Sequence, residues 1–400
     1  MTSAQFFDYT APAVVADPYP HYAHWREADP VQRAPAPSPI FPEQWLLFRH
    51  ADVIAALRDP RLGRDWHNVA RGQSQRDSLP DPMRALVEMV DEWMLFVDPP
   101  LHTALRGAVS DAFRPRALAA LGDFVARRAD VLLARAPSAG GVFDVLADFA
   151  LPLTSNAIAE VLGIPDAERS EFLRATRGLE AVFGGSRADL PRAAIAARDL
   201  ALLFDRLIAG ASGGFLARFA DVRGDEHRRA IGTCIFIYGA GFATTVHAIG
   251  NGVLALARNP DACAALRAEQ SLLPSAVEEI LRYDPPTQRS QRFALETLEI
   301  GGRRIPKGAL IVPVLGSANR DPAVFAEPER FDPKRDARAH AAFGGGIHSC
   351  LGAWLARLEV RIALAALLRR FPELELANES LEWREAAARG LRRLPLRVRV

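Results

Sequence analysis

Phe343-Gly344-Gly345-Gly346-Ile347-His348-Ser349-Cys350-Leu351-Gly352 concentrates in one short stretch the residues that could hold a soft metal. Consecutive glycines let a backbone pass close to something flat and bulky. The periodicity predicts a helix beginning just after Cys350, so helical N–H groups lie near the sulfur and favour thiolate over thiol. A thiolate is a soft, strongly donating ligand suited to iron. The aromatic ring of Phe343 could shield it from water. The chain has 3 cysteines. Cys234 and Cys263 lie in apolar helical surroundings and read as core. Three widely spaced cysteines form neither a disulfide framework nor a paired metal clip.

Other residue sets could also do chemistry. Ala240-Gly241-Phe242-Ala243-Thr244-Thr245 puts two hydroxyls beside two small residues inside an uncharged run. A threonine in a buried helix turns its hydroxyl to a carbonyl of the preceding turn and bends the helix there. His102 and Arg106 are spaced i, i+4, so both project from one face of a helix. Glu279 and Arg282 are spaced i, i+3 and face the same side.

The elements that must position these groups are mostly helical. Helices are predicted over residues 51–57, 102–113, 116–133, 149–162, 166–178, 189–209, 274–283 and 352–371, several closed by Gly or Pro signals. Residues 45–48 read as a strand, 297–314 as a hairpin turning at Gly301-Gly302, and 391–400 as a short strand pair. Residues 63–92 are polar, Arg-rich and weakly periodic, which predicts a long loop. Gly184-Gly185 separates two helices. No regular alternation of strand and helix occurs, which argues against a doubly wound sheet. From Ala230 to Ala257 no residue is charged. As a helix this run is about 42 Å long at 1.5 Å per residue, enough to cross a bilayer. Its glycines, threonines, His247 and Asn251, and the lack of a second such span, favour a buried central helix.

The 400 residues carry 49 basic and 48 acidic side chains, a formal net charge of +1, which does not suit a nucleic-acid binder. No basic stretch followed by an apolar core opens the chain, so a cytoplasmic protein with no membrane contact is expected.

The cysteine stretch resembles the haem-binding signature of the cytochrome P-450 superfamily, F-G-x-G-x-H-x-C-x-G, at every fixed position. The likeness extends from Asp17-Pro18-Tyr19 to the tail at Leu391. It implies a mainly α fold with small β-sheets. Residues 1–400 would form a single domain, holding haem b (iron protoporphyrin IX) between a long central helix and the cysteine loop with its helix. It implies Cys350 as the axial iron ligand. It makes His102, Arg106, Arg292 and His348 partners of the haem propionates, since Arg suits carboxylate by paired donation. Ala240 and Phe343 would border the haem, and Thr244, with Thr245, would serve oxygen activation. Glu279, Arg282 and Arg330 (in Pro328-Glu329-Arg330-Phe331) resemble the family's structural Glu–Arg–Arg core. The implied reaction is hydroxylation or epoxidation of a hydrophobic small molecule, a natural-product intermediate among the options, with dioxygen. Electrons would come from a ferredoxin-type donor, because the chain has no flavin or nicotinamide fingerprint. Arg114, Arg116, Arg357 and Arg361 could receive an acidic partner. Substrate would meet residues 63–96 and 170–190, the helix near Phe236 and Gly239, the stretch after Pro286 and the turn at Arg389-Gly390. Trp66, Trp93, Phe96 and Phe183 are the aromatic candidates.

One position departs from the family's pattern. Ala243 stands where the central helix usually carries Asp or Glu. Proton delivery is general acid catalysis and needs a donor, which alanine lacks. Hydroxylation with a rearranged relay therefore stands beside peroxide-driven oxidation, oxidative coupling and desaturation. His247, one turn on, reads as a core residue. Two non-enzyme readings stand beside these: a haem-binding sensor, to which only Ala243 lends weight, and a structural protein with a degenerate site, against which the intact cysteine stretch and the four propionate partners speak.

Overall fold

The computed structural model describes residues 6–35, 43–68, 81–137, 140–176, 178, 190–384 and 388–398. Its centre is the uncharged run. Gly224–Arg258 is one continuous helix, with Asp225 and Glu226 in its first turn and Arg258 in its last, each sign matching the helix dipole. Between Ala230 and Leu256 it is buried except at Ile231, Ala240, Gly241, Ala243 and Thr244. Small residues let neighbours close on it. A Cβ on Gly241 would stand 2.7 Å from Ile158 Cγ1, in the Leu151–Leu162 helix. Packing thus takes up the space beside Gly241. A second stretch, Val145–Leu162, also passes the length and hydropathy test for a membrane span, against the expectation of a lone run. Both are mostly packed inside the protein.

Around the central helix lie Leu121–Leu133, Leu151–Leu162, Leu190–Ala209, Leu273–Tyr283 and Ala353–Arg370. Their apolar faces merge into one large core that includes Phe149, Val125, Leu200, Ile249, Ile280 and Leu364. The last of these helices follows the cysteine and is called here the cysteine helix.

Two small sheets flank this bundle. One orders its strands Val31–Ala34, Gln44–Leu47, Leu310–Pro313, Arg292–Ala294 and Leu62–Gly63. The other joins Val142–Asp144, Pro395–Arg397 and Glu375–Leu376. The predicted hairpin is shorter than expected. Leu298–Ile300 pairs with Arg303–Ile305, while Leu310–Pro313 leaves to pair in parallel with Gln44–Leu47. The tail strand likewise pairs with distant strands, not within itself. The predicted loop 63–92 contains the helix Asp81–Asp91. Its charged residues mask the apolar spacing of Leu86, Met89 and Val90.

Candidate functional site

The cysteine loop is tethered at both ends. Cys350 N–H donates to Phe343 O at 2.9 Å, and Gly344 N–H donates to Ala341 O at 2.9 Å. Gly346 has φ +67°, and a Cβ there would lie 2.5 Å from Leu57 O. Only glycine fits both the left-handed backbone and this approach. The loop therefore lies tight against the end of the His50–Arg58 helix.

A buried ion-pair knot supports the loop from behind. Glu279 accepts from Arg282 Nε at 2.6 Å and Nη2 at 2.8 Å, with both side chains fully buried. Arg282 Nη1 donates to Asn319 O at 3.1 Å, and Asn319 Oδ1 accepts from Ala341 N–H at 2.6 Å, two residues before Phe343. The third basic member differs from expectation. Arg335 Nε reaches Glu279 Oε1 at 3.3 Å. The Arg330 guanidinium points outward to Glu327 at 3.2 Å, and only its carbonyl accepts from Arg282. The sequence places two arginines close together, and the chain's turn at Asp332-Pro333 decides which faces in.

Cys350 has accessible surface, yet protein atoms surround it closely enough that burial raises its thiol above the ordinary value. The Gly352 N–H, Arg106 and Arg357 pull toward thiolate, as the helix start predicts, but desolvation outweighs them. A bound metal would tip the balance, because a coordinating thiol is deprotonated outright. Phe343 sits half-buried with the Arg357 guanidinium 4.4 Å above its ring. Arg357 is held there by Glu278, at 2.6 and 2.8 Å. It is thus committed inward, whereas Arg114 lies at the surface beside Asp111.

Four of the expected cofactor contacts converge. His102 and Arg106 project from the Leu101–Ser110 helix, and the His102 and His348 rings lie 4.2 Å apart. Arg106 Nη2 approaches Ser349 Oγ at 3.4 Å. Arg292 is buried on its strand and donates to Ser290 Oγ at 3.0 Å and Gln291 O at 2.8 Å. Arg64 joins them, a residue sequence reasoning passed over because nothing separates it from the other arginines of its stretch. Burial and Arg292 lower the Arg64 guanidinium to about 9. Burial lowers Arg292 to about 10, with Asp98 opposing. Burial and the surrounding cations push His348 down to about 2. The His102 and His348 Nε2 atoms are buried without a hydrogen-bond partner. Among the described residues, the acid facing this cluster is Asp98, which accepts from the Arg64 and Asp65 N–H groups at 2.8 and 3.2 Å. So much crowded positive charge, with orphaned donors, fits a ligand carrying carboxylates.

On the central helix, the partly open positions Ala240, Gly241, Ala243 and Thr244 form a window in an otherwise buried surface. Thr244 Oγ1 donates to Ala240 O at 3.2 Å and Thr245 Oγ1 to Gly241 O at 3.3 Å. Thr245 itself is buried, turned away from the window. The donor set fits a porphyrin: a cysteine sulfur with Arg106 and Arg357 near it, and the Arg64, Arg106 and Arg292 guanidiniums for its acid arms.

Of the substrate-contact candidates, Trp93 is fully buried against Phe236 and belongs to the core. Phe96 lies half-buried, 5.9 Å from the Arg64 guanidinium. Trp66 Nε1 donates to Asp91 at 2.8 Å. Phe183 lies outside the described residues. The turn at Gly390 rests on His247, whose Nδ1 would be 2.1 Å from a Cβ there. Burial, then Arg384, lowers His247 to about 4. A histidine depressed in the folded state costs nothing above the unfolded value of about 6.5, and its cost grows as pH falls from there to about 4. The difference amounts to roughly 3 kcal/mol. Replacing His247 by Gln is expected to flatten the acid limb of a stability-against-pH curve measured by urea unfolding; an unchanged limb would remove His247 as its cause.

A sequence model of the family described as Cytochrome P450 matches residues 225–389. The chain is 37% identical over 394 residues to cytochrome P450 107B1 of Saccharopolyspora erythraea, covering 96% of each. It is also 37% identical to cytochrome P450 monooxygenase PikC of Streptomyces venezuelae, over 96% of this chain and 92% of that one. Among solved structures, that of the Bacillus subtilis bacillaene polyketide synthase cytochrome P450 PksS superposes with a TM-score of 0.88. It is 31% identical, covering 99% of this chain and 100% of the other.

Proposed function

The chain belongs to the cytochrome P450 family, and from that premise we propose that it is a haem b monooxygenase acting on a hydrophobic natural-product intermediate. It uses dioxygen to hydroxylate or epoxidise that substrate, with electrons from a ferredoxin-type donor. The family implies a haem-iron cofactor, dioxygen and a redox partner. The names of relatives such as PikC and the polyketide-associated PksS support the substrate class. The observation that carries the reading is the cluster of three guanidiniums, Arg64, Arg106 and Arg292, with the His102 and His348 imidazoles, set beside Cys350. We place the protein in the cytoplasm as one domain over residues 1–400, both long apolar helices being packed inward.

When bound, haem supplies the redox-active iron at which dioxygen is reduced and one oxygen atom is transferred. Cys350 would hold the haem iron through its sulfur, and Phe343, pinned under Arg357, would keep water from that sulfur. Arg64, Arg106 and Arg292, with His102 and His348, would hold the two carboxylate arms. Ala240 would border the ring through a side chain too small to obstruct. Thr244 holds a proton at Oγ1, with Ala240 O as its resting acceptor. Thr245 supports that turn from the buried side.

Two predictions belong here. Arg64→Ala is expected to weaken cofactor retention about 10–100-fold, the equivalent of one charge-assisted hydrogen bond of about 1.5–3 kcal/mol. Haem transfer to apomyoglobin measures it; an unchanged rate would take Arg64 out of the cluster's function. The second tests the reaction. With labelled dioxygen, a ferredoxin and its reductase, and a probe panel of myristic acid, a macrolactone and a terpene alcohol, label should enter the product. Thr244→Ala should raise peroxide released per dioxygen consumed several-fold, within the range of a lost acid–base group. Turnover with hydrogen peroxide alone, and none with the ferredoxin system, would sink this reading and favour the peroxide-driven one that Ala243 invites.

A further inference from the structure

Glu278 stands next to the fully buried Glu279 on the Leu273–Tyr283 helix, yet it faces a different set of partners. Its two oxygens accept from Arg357 Nε at 2.6 Å and Nη2 at 2.8 Å, and Oε2 also meets His340 Nε2 at 3.1 Å. His340 Nδ1 accepts from the Ala342 N–H at 3.2 Å. The imidazole therefore carries its hydrogen on Nε2, donates it to Glu278 and has no net charge. Burial pushes the Glu278 carboxyl up, but the Arg357 and His340 bonds outweigh it and hold it down at about 2, so it is ionised at neutral pH. His340 and Glu278 are largely withdrawn from solvent and Arg357 partly so. The Arg357 guanidinium and the His340 ring both lie against Phe343, at 4.4 and 5.7 Å. Phe343 O accepts from the Cys350 N–H. Arg357 is close enough to the sulfur to favour thiolate. One cation near the sulfur thus has one anion fixed upon it, in a fork that neither can leave without losing two bonds. Kept partly out of water, the pair retains a field that fully exposed ions would lose to screening.

We propose that Glu278 sets the reduction potential of the bound haem, by holding the Arg357 cation beside the Cys350 sulfur and offsetting part of its charge. A positive charge near the sulfur draws electron density from it, makes it a weaker donor and favours reduced iron; a negative charge does the reverse. Arg357 alone would push the potential up, and Glu278 pulls it back. Loss of either one therefore moves the potential, in opposite directions. His340 fixes the orientation of the carboxylate and adds no charge. The step governed is the transfer of one electron from the external donor, which is oxidised, to the iron, which is reduced. The proposal rests on the haem-thiolate reading of Cys350. Glu278, Arg357 and His340 touch no reacting atom; they are positioning residues.

Glu278→Gln keeps an oxygen for the guanidinium and removes the charge. In the substrate-free holoprotein, a spectroelectrochemical titration should show the one-electron reduction constant raised at least about 3-fold, roughly 30 mV at 59 mV per tenfold. Arg357→Gln should lower it by a similar factor. The double variant loses one charge of each sign and should return close to wild type, which a merely structural role would not produce. His340→Gln replaces one neutral donor by another and should leave the potential where it was. The carbon monoxide stretch of the reduced complex should rise in Glu278→Gln and fall in Arg357→Gln, following the donor strength of the sulfur. If Glu278→Gln takes up no haem, Arg357→Gln read against His340→Gln still decides. Shifts of the same sign in the two single charge variants, or no shift in either, overturn the proposal. A wild type without the thiolate band in its reduced carbon monoxide spectrum overturns the haem-thiolate reading and this step with it. A wild type that turns over only with added peroxide overturns the monooxygenase reading alone, because the potential is measured with neither dioxygen nor peroxide present.

Discussion

Cys350→Ser should yield a protein that keeps its fold and loses the spectroscopic and catalytic signature of thiolate-ligated haem. A serine alcohol is a hard, weakly donating oxygen that stays protonated near neutrality, so it cannot replace a soft thiolate on iron. The surroundings of the sulfur sharpen the effect. Burial already disfavours ionisation at this position, and a serine there would have still less reason to ionise. Reduced carbon monoxide spectra should lose the thiolate band, and dioxygen-dependent turnover should fall at least about 100-fold, beyond the upper end of what losing a supporting partner costs a metal site. Cys350→His provides the contrast, with iron retained through imidazole and the thiolate band gone. A wild-type spectrum in either variant would remove the sulfur from the account.

The second large effect is on stability. Glu279→Gln should destabilise the protein by about 3–5 kcal/mol, the usual cost of leaving a buried charge without its partner. Arg282 would keep its carbonyl acceptors at Asn319 and Pro328 but lose the paired carboxylate. The two neighbouring arginines should then separate in denaturant midpoints. Arg335→Ala removes a donor to Glu279 and should cost about 1–3 kcal/mol. Arg330→Ala trims a side chain 63% exposed and should stay within about 0.5 kcal/mol. The reverse order would restore Arg330 to the knot.

That contrast marks where sequence reasoning stopped. The cysteine loop was legible because glycine, histidine and cysteine at fixed spacing within one turn leave few alternatives. The central helix was legible from its lack of charge, and the i, i+4 pair at His102 and Arg106 from periodicity. Groups meeting across the fold were not. Arg64 joins Arg292 and His348 only because Leu62–Gly63 pairs with Arg292–Ala294, a pairing that no local pattern announces. Leu310–Pro313 was drawn into a hairpin because its alternation is the same whether its partner is near or distant. The helix Asp81–Asp91 was obscured by polar residues whose outward face solvent, not sequence, selects.

The five basic groups of the cofactor cluster come from four separate stretches of chain, drawn together by a helix, two strands and the cysteine loop. Until carboxylates arrive, these stretches repel one another at the place where they must meet. Haem binding should therefore relieve the repulsion among Arg64, Arg106 and Arg292 and stabilise this corner of the fold. In iron-starved cells the newly made polypeptide would stay loose at this one corner, open to proteases, while the rest of the bundle had already closed.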